Sequence, residues 1–201
     1  MTKHLTTDQV NQFNQNGFIF PMDALSREDA SVAGVLGTGV QARAQLIGIA
    51  TAHKLSEAFC FSMDTQENQV LFAESVASET GLTISISSSA QELVQSCDIL
   101  ALATTSTTPI VDGDWIKNGT HINAIGSHAP GVRELDSKTM KKSKIVCDNI
   151  EACLAEAGDI QIPLKEGVLS KNDLQWELAD LVTGKTQVRE GKDDITLMKT
   201  V

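Results

Sequence analysis

From residue 31 onward, short apolar runs alternate with longer amphipathic runs, and this alternation leaves few folds open to the chain. A short apolar run between turn residues is typical of a buried strand, whereas a longer run with helical periodicity is typical of a helix. Strands that alternate with helices form a parallel sheet with helices on both faces. The alternation therefore predicts an α/β fold with a doubly wound, mostly parallel sheet. The predicted strands are residues 31–37, 57–63, 82–87, 98–104, 119–127, 144–149 and 194–201, and the predicted helices are residues 40–55, 66–80, 90–96 and 133–142, with a further amphipathic segment at 174–184.

The first predicted strand runs into GVLGTGVQARAQL, which contains a GxGxxA pattern formed by Gly37, Gly39 and Ala42. In dinucleotide-binding folds the first glycine permits a tight turn and the second lets the backbone approach a diphosphate, while a small third residue lets the helix pack closely on the sheet. The N–H groups at the start of the following helix favour the negative charge of the diphosphate. No carboxylate occurs within residues 30–56 to compete for that position. The motif in this context predicts a Rossmann-type fold with a dinucleotide site at the loop.

An acidic residue after the second strand binds the cofactor ribose in such folds. Asp64 follows the second predicted strand, near the expected distance of about 20 residues beyond the loop. Two interpretations stay open, a ribose ligand or a surface turn aspartate, because Met63 precedes Asp64 and the register can slip by one residue. The nearest cation is Lys54 and no arginine is close, so NAD is favoured as the cofactor and NADP is the alternative.

Composition and charge narrow the classes of partner. The chain has 201 residues, a formal net charge of -10 and a pI near 4.8, so its overall field repels nucleic acids and anionic membranes. It shows neither a secretory signal pattern nor an apolar run of transmembrane length, so we expect a cytoplasmic protein without membrane partners. The cysteines show no paired spacing and no zinc-ligand spacing with a histidine, so we expect reduced, buried thiols and no metal site. These cysteines are Cys60, Cys97, Cys147 and Cys153.

Beyond the glycine loop, longer motifs follow in the order SCDILALATTSTTPIV, DWIKNGTHINAIGSHAPGVRELD, CLAEAGDI and DDITLMKTV. Together with the loop, they make the chain from about residue 32 to residue 201 resemble the ornithine cyclodeaminase/mu-crystallin family. That family comprises NAD(P)-dependent ornithine cyclodeaminases, reductases of cyclic imines or ketimines, and some alanine dehydrogenases. The resemblance implies an oxidoreductase that transfers hydride at a carbon bearing an amino or imino nitrogen. It also implies a small amino acid or cyclic imine as the substrate.

The resemblance further implies roles for single residues. Val40 and Gln41 are expected at the cofactor diphosphate, and Asp64 at the ribose. Thr200 matches another cofactor-contacting position. The nicotinamide half is expected to be lined by Thr104, Ile122, Asn123, Ala124 and Ile125. With Gly37 and Gly39, these residues make up the predicted cofactor site.

His128 stands where ornithine cyclodeaminases carry a catalytic aspartate, because GSHAP replaces a GGDCP-type sequence. The resemblance marks His128 as the candidate catalytic residue, since an imidazole can exchange a proton with an imine nitrogen near neutral pH. The alternative is a loop histidine that caps backbone groups. Val132 replaces a cofactor-contacting lysine of that subgroup, and both departures favour the reductase branch over ornithine cyclodeamination. Arg133 and Glu134 are expected to start a helix and to form a surface pair.

The resemblance also predicts the domain organisation. In the family, a substrate domain precedes the Rossmann domain and supplies the groups that hold the substrate, whereas only residues 1–30 precede it here. We expect a leader over residues 1–30 with a helix at 5–16, followed by an NAD(P)-binding Rossmann domain over residues 31–201 and an incomplete substrate domain. A homo-oligomer or a companion chain would then supply the missing groups. Residues 5–30 faintly resemble the N-terminus of phytanoyl-CoA dioxygenase-like proteins, but no histidine in the chain belongs to the HxD/E pair that binds iron there.

Three functional hypotheses follow from these patterns. The first is the cofactor-binding domain of an oxidoreductase whose turnover is impaired because the groups that position the substrate are missing. The second is a module that binds a cofactor or small ligand without catalysis, as crystallin-type members of the family suggest. The third is a truncated gene product without a stable function.

Overall fold

Residues 29–201, which the computed structural model describes, form an eight-stranded sheet with helices on both faces. The helix predicted at 5–16 lies outside these residues, as does the rest of the predicted leader except residues 29 and 30. The strands are β1 (Val32–Leu36), β2 (Glu57–Phe61), β3 (Ile84–Ile86), β4 (Ile99–Leu102), β5 (His121–Ala124), β6 (Ser143–Cys147), β7 (Trp176–Glu177) and β8 (Ile195–Lys199). The helices are α1 (Val40–Ala52), α2 (Gln66–Thr80), α3 (Ala90–Ser96), α4 (Ser137–Lys142), α5 (Ile150–Glu156), α6 (Gly158–Lys165) and α7 (Leu178–Val182), with a short 3-10 helix at Lys171–Asp173.

The strand order is β3-β2-β1-β4-β5-β8-β6-β7, and all neighbouring strands of this sheet are parallel. The predicted α/β, doubly wound architecture is confirmed, and the sheet is parallel throughout rather than mostly parallel. From β1 the chain first builds outward through β2 and β3 and then returns to place β4 on the other side. Such a reversal opens a crevice at the carboxyl ends of β1 and β4, where ligands bind in open α/β sheets.

The strand β4 is apolar at every position because its side chains pack on both faces of the sheet. Ile99 and Ala101 pack into one core cluster with residues of α1 and α2, whereas Leu100 and Leu102 pack into a second cluster with α3, α5 and α6. Successive side chains of a strand point to opposite faces, so a strand covered on both faces must be apolar at every position. The predicted burial of all four cysteines is also confirmed.

The helix predicted at 133–142 begins only at Ser137. The Asp136 carboxylate accepts a hydrogen bond from Thr139 N at 2.7 Å and caps this helix, so the residues before it are not helical. The expectation that Arg133 and Glu134 start a helix as a surface pair is therefore wrong. Glu134 is fully buried, and its segment bonds to the chain around Ile110, whose N–H donates to the Glu134 carbonyl at 2.8 Å.

Other parts of the chain also differ from the sequence patterns. Residues 174–184 do not form one amphipathic helix, because they divide into β7 and the short α7. The half-buried Trp176 lies on β7 and packs against the small cluster that contains Val146 and Met198. Helices α5 and α6 had no separate sequence prediction, since each is eight residues or shorter and carries little periodic signal.

The turn that leads into β8 depends on the Asp194 carboxylate. Its Oδ2 accepts hydrogen bonds from Glu190 N and Gly191 N at 2.8 Å each and from Lys144 Nζ at 2.9 Å. Burial acts to raise the pKa of Asp194, but the bonds from Lys144 and the two backbone groups outweigh it and lower the pKa to about 2. This carboxylate is therefore more acidic in the folded protein than in the unfolded chain.

We expect Asp194→Asn to be less stable than the wild type at pH 7, with a difference that shrinks as the pH falls from about 4 to about 2. A lowered folded-state pKa contributes stability above the unfolded pKa, and this contribution disappears as the folded-state carboxylate becomes protonated. Urea denaturation of both proteins across this pH range, followed by circular dichroism, measures the difference. A difference that stays constant over the range would contradict the role of Asp194.

Candidate functional site

The carboxyl edge of the sheet brings together the loops that contain the predicted site residues. These loops follow β1, β2, β4, β5 and β8, and backbone hydrogen bonds join each strand end to its neighbour. The bonds run from Gly37 N to Phe61 O at 2.9 Å, from Ala103 N to Leu36 O at 3.0 Å, from Ile125 N to Leu102 O at 3.0 Å and from Thr200 N to Ala124 O at 3.3 Å. Residues that are up to 163 positions apart, Gly37 and Thr200, thus belong to one continuous edge.

The three positions of the GxGxxA pattern have distinct geometries. Gly37 has a φ of +114°, and a Cβ built there would lie 2.4 Å from the Ala103 carbonyl oxygen, so both backbone conformation and space require glycine. Gly39 is exposed and precedes α1, and a Cβ at this position would meet no atom within 4 Å. Ala42 is fully buried where α1 packs on the sheet. The first and third positions therefore serve packing within the protein, whereas the second faces open space.

The amino end of α1 offers backbone donors without side-chain acceptors. Its capping residue is Gly39, which has no side-chain cap, and its first turn contains no acidic residue. The first backbone bond of the helix runs from Arg43 N to Gly39 O at 3.0 Å, so the N–H groups before Arg43 have no acceptor within the helix. Val40 and Gln41 are exposed in this first turn. The positive end of the helix dipole and these N–H groups can hold an anion.

The loop after β2 carries the predicted ribose ligand. Asp64 is exposed, and its Oδ1 accepts hydrogen bonds from Thr65 N at 2.7 Å and from Asn68 Nδ2 at 2.8 Å. These two bonds, chiefly that from Asn68, lower the pKa of Asp64 and keep it ionised. Ser62 lies directly after β2 and accepts a hydrogen bond from Thr38 Oγ1 at 3.2 Å, so the side chain of Ser62 contacts the glycine loop. Both interpretations of Asp64 are compatible with this position.

The residues predicted at the nicotinamide half differ in burial. Ile122 and Ala124 belong to the apolar core of the sheet. Thr104, Asn123 and Ile125 are half-buried, as is Thr200 at the neighbouring strand end. Thr104, Ile125 and Thr200 follow their strands and lie on the carboxyl edge.

His128 lies in the loop after β5 and is exposed. Its Nδ1 lies 2.7 Å from the Gly126 carbonyl oxygen. A carbonyl oxygen only accepts hydrogen bonds, so Nδ1 donates, and Nε2 is the nitrogen that can take up or release a further proton. The bond is also what a histidine that caps the backbone would make, so the geometry accommodates both roles predicted for His128.

A buried charged residue that the sequence patterns did not indicate lies beneath this edge. Glu134 Oε1 accepts hydrogen bonds from the N–H and the Oγ1 of Thr104, both at 2.7 Å, and its Oε2 accepts one from Gly126 N at 2.7 Å. Burial raises the pKa of Glu134, and the charge of Asp159 acts in the same direction, whereas the bonds from Thr104 and Gly126 oppose the rise. The side chain thereby connects the loops after β4 and β5.

Two further buried charges accompany Glu134. Asp159, in the first turn of α6, accepts hydrogen bonds at Oδ1 from Glu134 N at 2.9 Å and Leu135 N at 3.0 Å, and burial raises its pKa. Lys199, the last residue of β8, donates from Nζ to the carbonyls of Ala124 at 3.1 Å and Thr200 at 2.7 Å, and burial lowers its pKa. The sequence held one signal for this buried cluster, namely that the charged Lys199 ends a strand whose other residues are all buried.

Within residues 29–201, no group of three or more histidine, cysteine, aspartate or glutamate side chains is arranged to hold a metal ion. In the same part of the chain, no helix is long and apolar enough to cross a bilayer.

Comparison with known proteins identifies relatives of this chain. The sequence profile described as the ornithine cyclodeaminase/mu-crystallin family matches residues 23–201. A Delta(1)-pyrroline-2-carboxylate reductase of Bacillus cereus is 32% identical over 178 residues, which cover 88% of this chain and 54% of that protein. An alanine dehydrogenase of Archaeoglobus fulgidus is 32% identical over 173 residues, which cover 86% of this chain and 52% of that protein. The chain thus spans about half the length of these curated relatives.

Among solved structures, the chain is similar to Thermococcus litoralis Delta(1)-pyrroline-2-carboxylate reductase in complex with NADH and L-proline. The TM-score is 0.86 at 42% sequence identity, over 89% of this chain and 55% of that chain. An archaeal alanine dehydrogenase dimer with bound NAD gives a TM-score of 0.81 at 31% identity, over 89% of this chain and 54% of that chain. The resemblance inferred from the sequence motifs is confirmed by these matches.

Proposed function

Because the chain belongs to the ornithine cyclodeaminase/mu-crystallin family, we propose that it binds NAD(H) along the carboxyl edge of its sheet and serves hydride transfer at an amino or imino carbon. The observation that carries this proposal is the strand, glycine loop and uncapped α1 at the reversal between β1 and β4. The relatives named above include structures with NADH and NAD, at the identities already given. We assign the cofactor-binding Rossmann domain to residues 31–201.

The residues at the edge fit an extended dinucleotide in a definite order. The N–H groups at the start of α1, including those of Val40 and Gln41, suit the diphosphate, for which the exposed Gly39 leaves room. Asp64 suits a ribose hydroxyl on the β2 side, and Thr104, Ile125 and Thr200 suit the nicotinamide half on the side of β4, β5 and β8. The bound cofactor would supply or accept the hydride. The chain would then contribute binding, orientation and proton exchange.

The charge of Asp64 favours NAD over NADP. Its pKa is lowered, so the side chain is an anion at neutral pH and would repel the 2′-phosphate of NADP. The two residues between β2 and Asp64 are uncharged, Ser62 and Met63. We therefore infer a preference for the cofactor that presents two ribose hydroxyls at this position.

His128 is our candidate for proton exchange with the substrate nitrogen. Its Nδ1 donates to Gly126 O and holds the ring, so Nε2 is the atom that would give a proton to an amine or take one from it. A small amino acid or a cyclic imine such as Delta(1)-pyrroline-2-carboxylate is the substrate class we propose. The second candidate function, cofactor binding without turnover, is favoured by the same bond, because it can equally hold the histidine as a backbone cap.

Calorimetric titration of the purified chain with NADH and NADPH tests the cofactor assignment. We expect saturable NADH binding with a Kd between about 10 μM and 1 mM, and binding of NADPH at least about tenfold weaker. Asp64→Ser should narrow this gap, whereas Asp180→Ser, which changes a half-buried carboxylate on α7 that pairs with Lys185, should leave it unchanged. Failure of NADH to bind at millimolar concentration would contradict the proposed function.

An assay of NADH oxidation with Delta(1)-pyrroline-2-carboxylate separates the two candidates. Turnover that His128→Ala abolishes, with NADH affinity retained, would support the oxidoreductase. NADH binding without turnover would support the binding module.

A further inference from the structure

We propose that Glu134 is a positioning residue, whose carboxylate holds the loops after β4 and β5 in the arrangement that the nicotinamide half of the cofactor needs. The inference rests on the cofactor site proposed above. Within residues 29–201, Glu134 makes hydrogen bonds to the loops after β4 and β5 and none to the glycine loop or the loop after β2, so we expect its effect to be largest at the nicotinamide half of that site.

The contacts of Glu134 are matched to an ionised carboxylate. The carboxylate is the acceptor in all three of its hydrogen bonds. Two come from the N–H and the hydroxyl of Thr104 and one from the N–H of Gly126, and each is 2.7 Å long. An ionised carboxylate only accepts hydrogen bonds, and bonds to a charged acceptor are stronger than those between neutral groups. One fully buried side chain therefore accepts hydrogen bonds from donors on both loops.

The two loops are also in direct contact at Gly126. A Cβ built there would lie 2.4 Å from the Thr104 carbonyl oxygen and 2.5 Å from Glu134 Oε1. The space between the loops is filled by the carboxylate itself, and a small displacement of Glu134 would move both loops. Thr104 and Ile125, which we assign to the nicotinamide half, lie on these loops beside the contact.

Hydrogen bonds also fix the backbone of Glu134 and its neighbours. Asp159 Oδ1 accepts hydrogen bonds from the N–H groups of Glu134 and Leu135 at 2.9 and 3.0 Å. The Glu134 carbonyl accepts a hydrogen bond from Ile110 N at 2.8 Å. Ser127 Oγ donates to Val132 O at 2.6 Å across the same loop. The backbone that carries the carboxylate is thus fixed on both sides, which is what a group that sets the geometry of other loops requires.

Glu134→Gln, tested in the full chain, replaces the carboxylate by an amide of the same shape. The amide oxygen can still accept from Thr104, but the amide nitrogen then faces Gly126 N, a donor facing a donor. We expect NADH affinity to fall about tenfold and ADP-ribose affinity to change less than about twofold. ADP-ribose lacks the nicotinamide, so this contrast separates positioning at one half of the site from a general loss of structure.

Asp98→Asn is the matched control. Asp98 Oδ2 accepts backbone N–H groups of Ser31 and Val32 at 3.1 Å each, at the opposite, amino edge of the sheet. The same carboxylate-to-amide change at that edge should alter stability without altering the ratio of NADH to ADP-ribose affinity. A Glu134→Gln protein that weakens both ligands equally would overturn the proposal.

Amide hydrogen exchange, read by NMR without any cofactor, tests the holding role independently. We expect the N–H groups of Thr104 and Gly126 to be protected in the wild type and to exchange faster in Glu134→Gln. Exchange in the wild type at the rate of open loops would overturn the proposal even if the variant does not fold. If protection is found but NADH and ADP-ribose both fail to bind the wild type, the holding role stands and the proposed cofactor function fails.

Discussion

Gly37→Ala is expected to destabilise the protein by about 3 to 5 kcal/mol, the largest loss we anticipate from a single methyl group. The φ of +114° disfavours any residue with a Cβ, and the added Cβ would lie 2.4 Å from the Ala103 carbonyl oxygen. That oxygen belongs to the backbone at the end of β4, between two neighbouring strands, and it has little freedom to retreat. Urea denaturation of the variant and the wild type measures the loss.

Gly39→Ala is the matched control for this prediction. Gly39 has a φ of -84°, and a Cβ there would meet nothing within 4 Å, so we expect stability to change by less than about 1 kcal/mol. The proposed cofactor site places the diphosphate against this backbone, so NADH affinity should nevertheless fall by about tenfold or more. A Gly39→Ala protein that binds NADH as well as the wild type would contradict the assignment of the diphosphate to this loop.

Lys199→Met is expected to cost about 2 to 4 kcal/mol, or to lower Tm by roughly 5 to 12 °C. The variant loses the donations from Nζ to the carbonyls of Ala124 and Thr200, and it removes the cation whose charge offsets those of Asp159 and Glu134. Methionine fills a similar volume, so the loss reports charge and hydrogen bonding more than packing. Lys138→Met, at an exposed lysine that pairs with Asp114, should leave Tm nearly unchanged.

The Lys199→Met deficit should also depend on pH. Burial already raises the pKa values of Asp159 and Glu134, and loss of the nearby cation would raise them further. A carboxyl with a raised folded-state pKa destabilises the folded state as the pH rises from its unfolded pKa through the folded one. The deficit should therefore be larger at pH 8 than at pH 5. Adding Asp159→Asn, which retains an oxygen for the two backbone donors and removes the charge, should recover about half of the loss. Simple additivity of the two changes would refute this coupling.

The elements that the sequence predicted well are those whose pattern is local. The strand β4 is apolar at every position because helices cover both faces of the sheet, and such a run is visible without any structure. The helix α2 begins at a Thr65 cap and ends at Gly81 with a φ of +72°, as its sequence indicates. Buried cysteines and the close packing of Ala42 follow from composition and motif in the same way.

The segment around Glu134 shows where local pattern is insufficient. The residues from Arg133 to Lys142 suit a helix by propensity, yet Asp136 caps the helix and leaves Glu134 outside it. Its partners Thr104 and Gly126 lie 30 and 8 residues away in the sequence. The periodicity of the segment gives no information about such distant partners, so the sequence alone predicts that an acidic residue there lies on the surface.

By itself, the sequence determined the parallel α/β architecture, the dinucleotide-type loop at Gly37 and Gly39, and membership of the family, because each depends on residue types at short, fixed spacing. Only the tertiary structure decided that Glu134, Asp159 and Lys199 are buried together beneath the carboxyl edge. The physical reason is that a charged group is tolerated in the interior only where donors, acceptors and opposite charges surround it. Here those groups come from the loop after β4, from β5 and the loop after it, from α6 and from β8, which are distant in sequence and meet only when the sheet has formed.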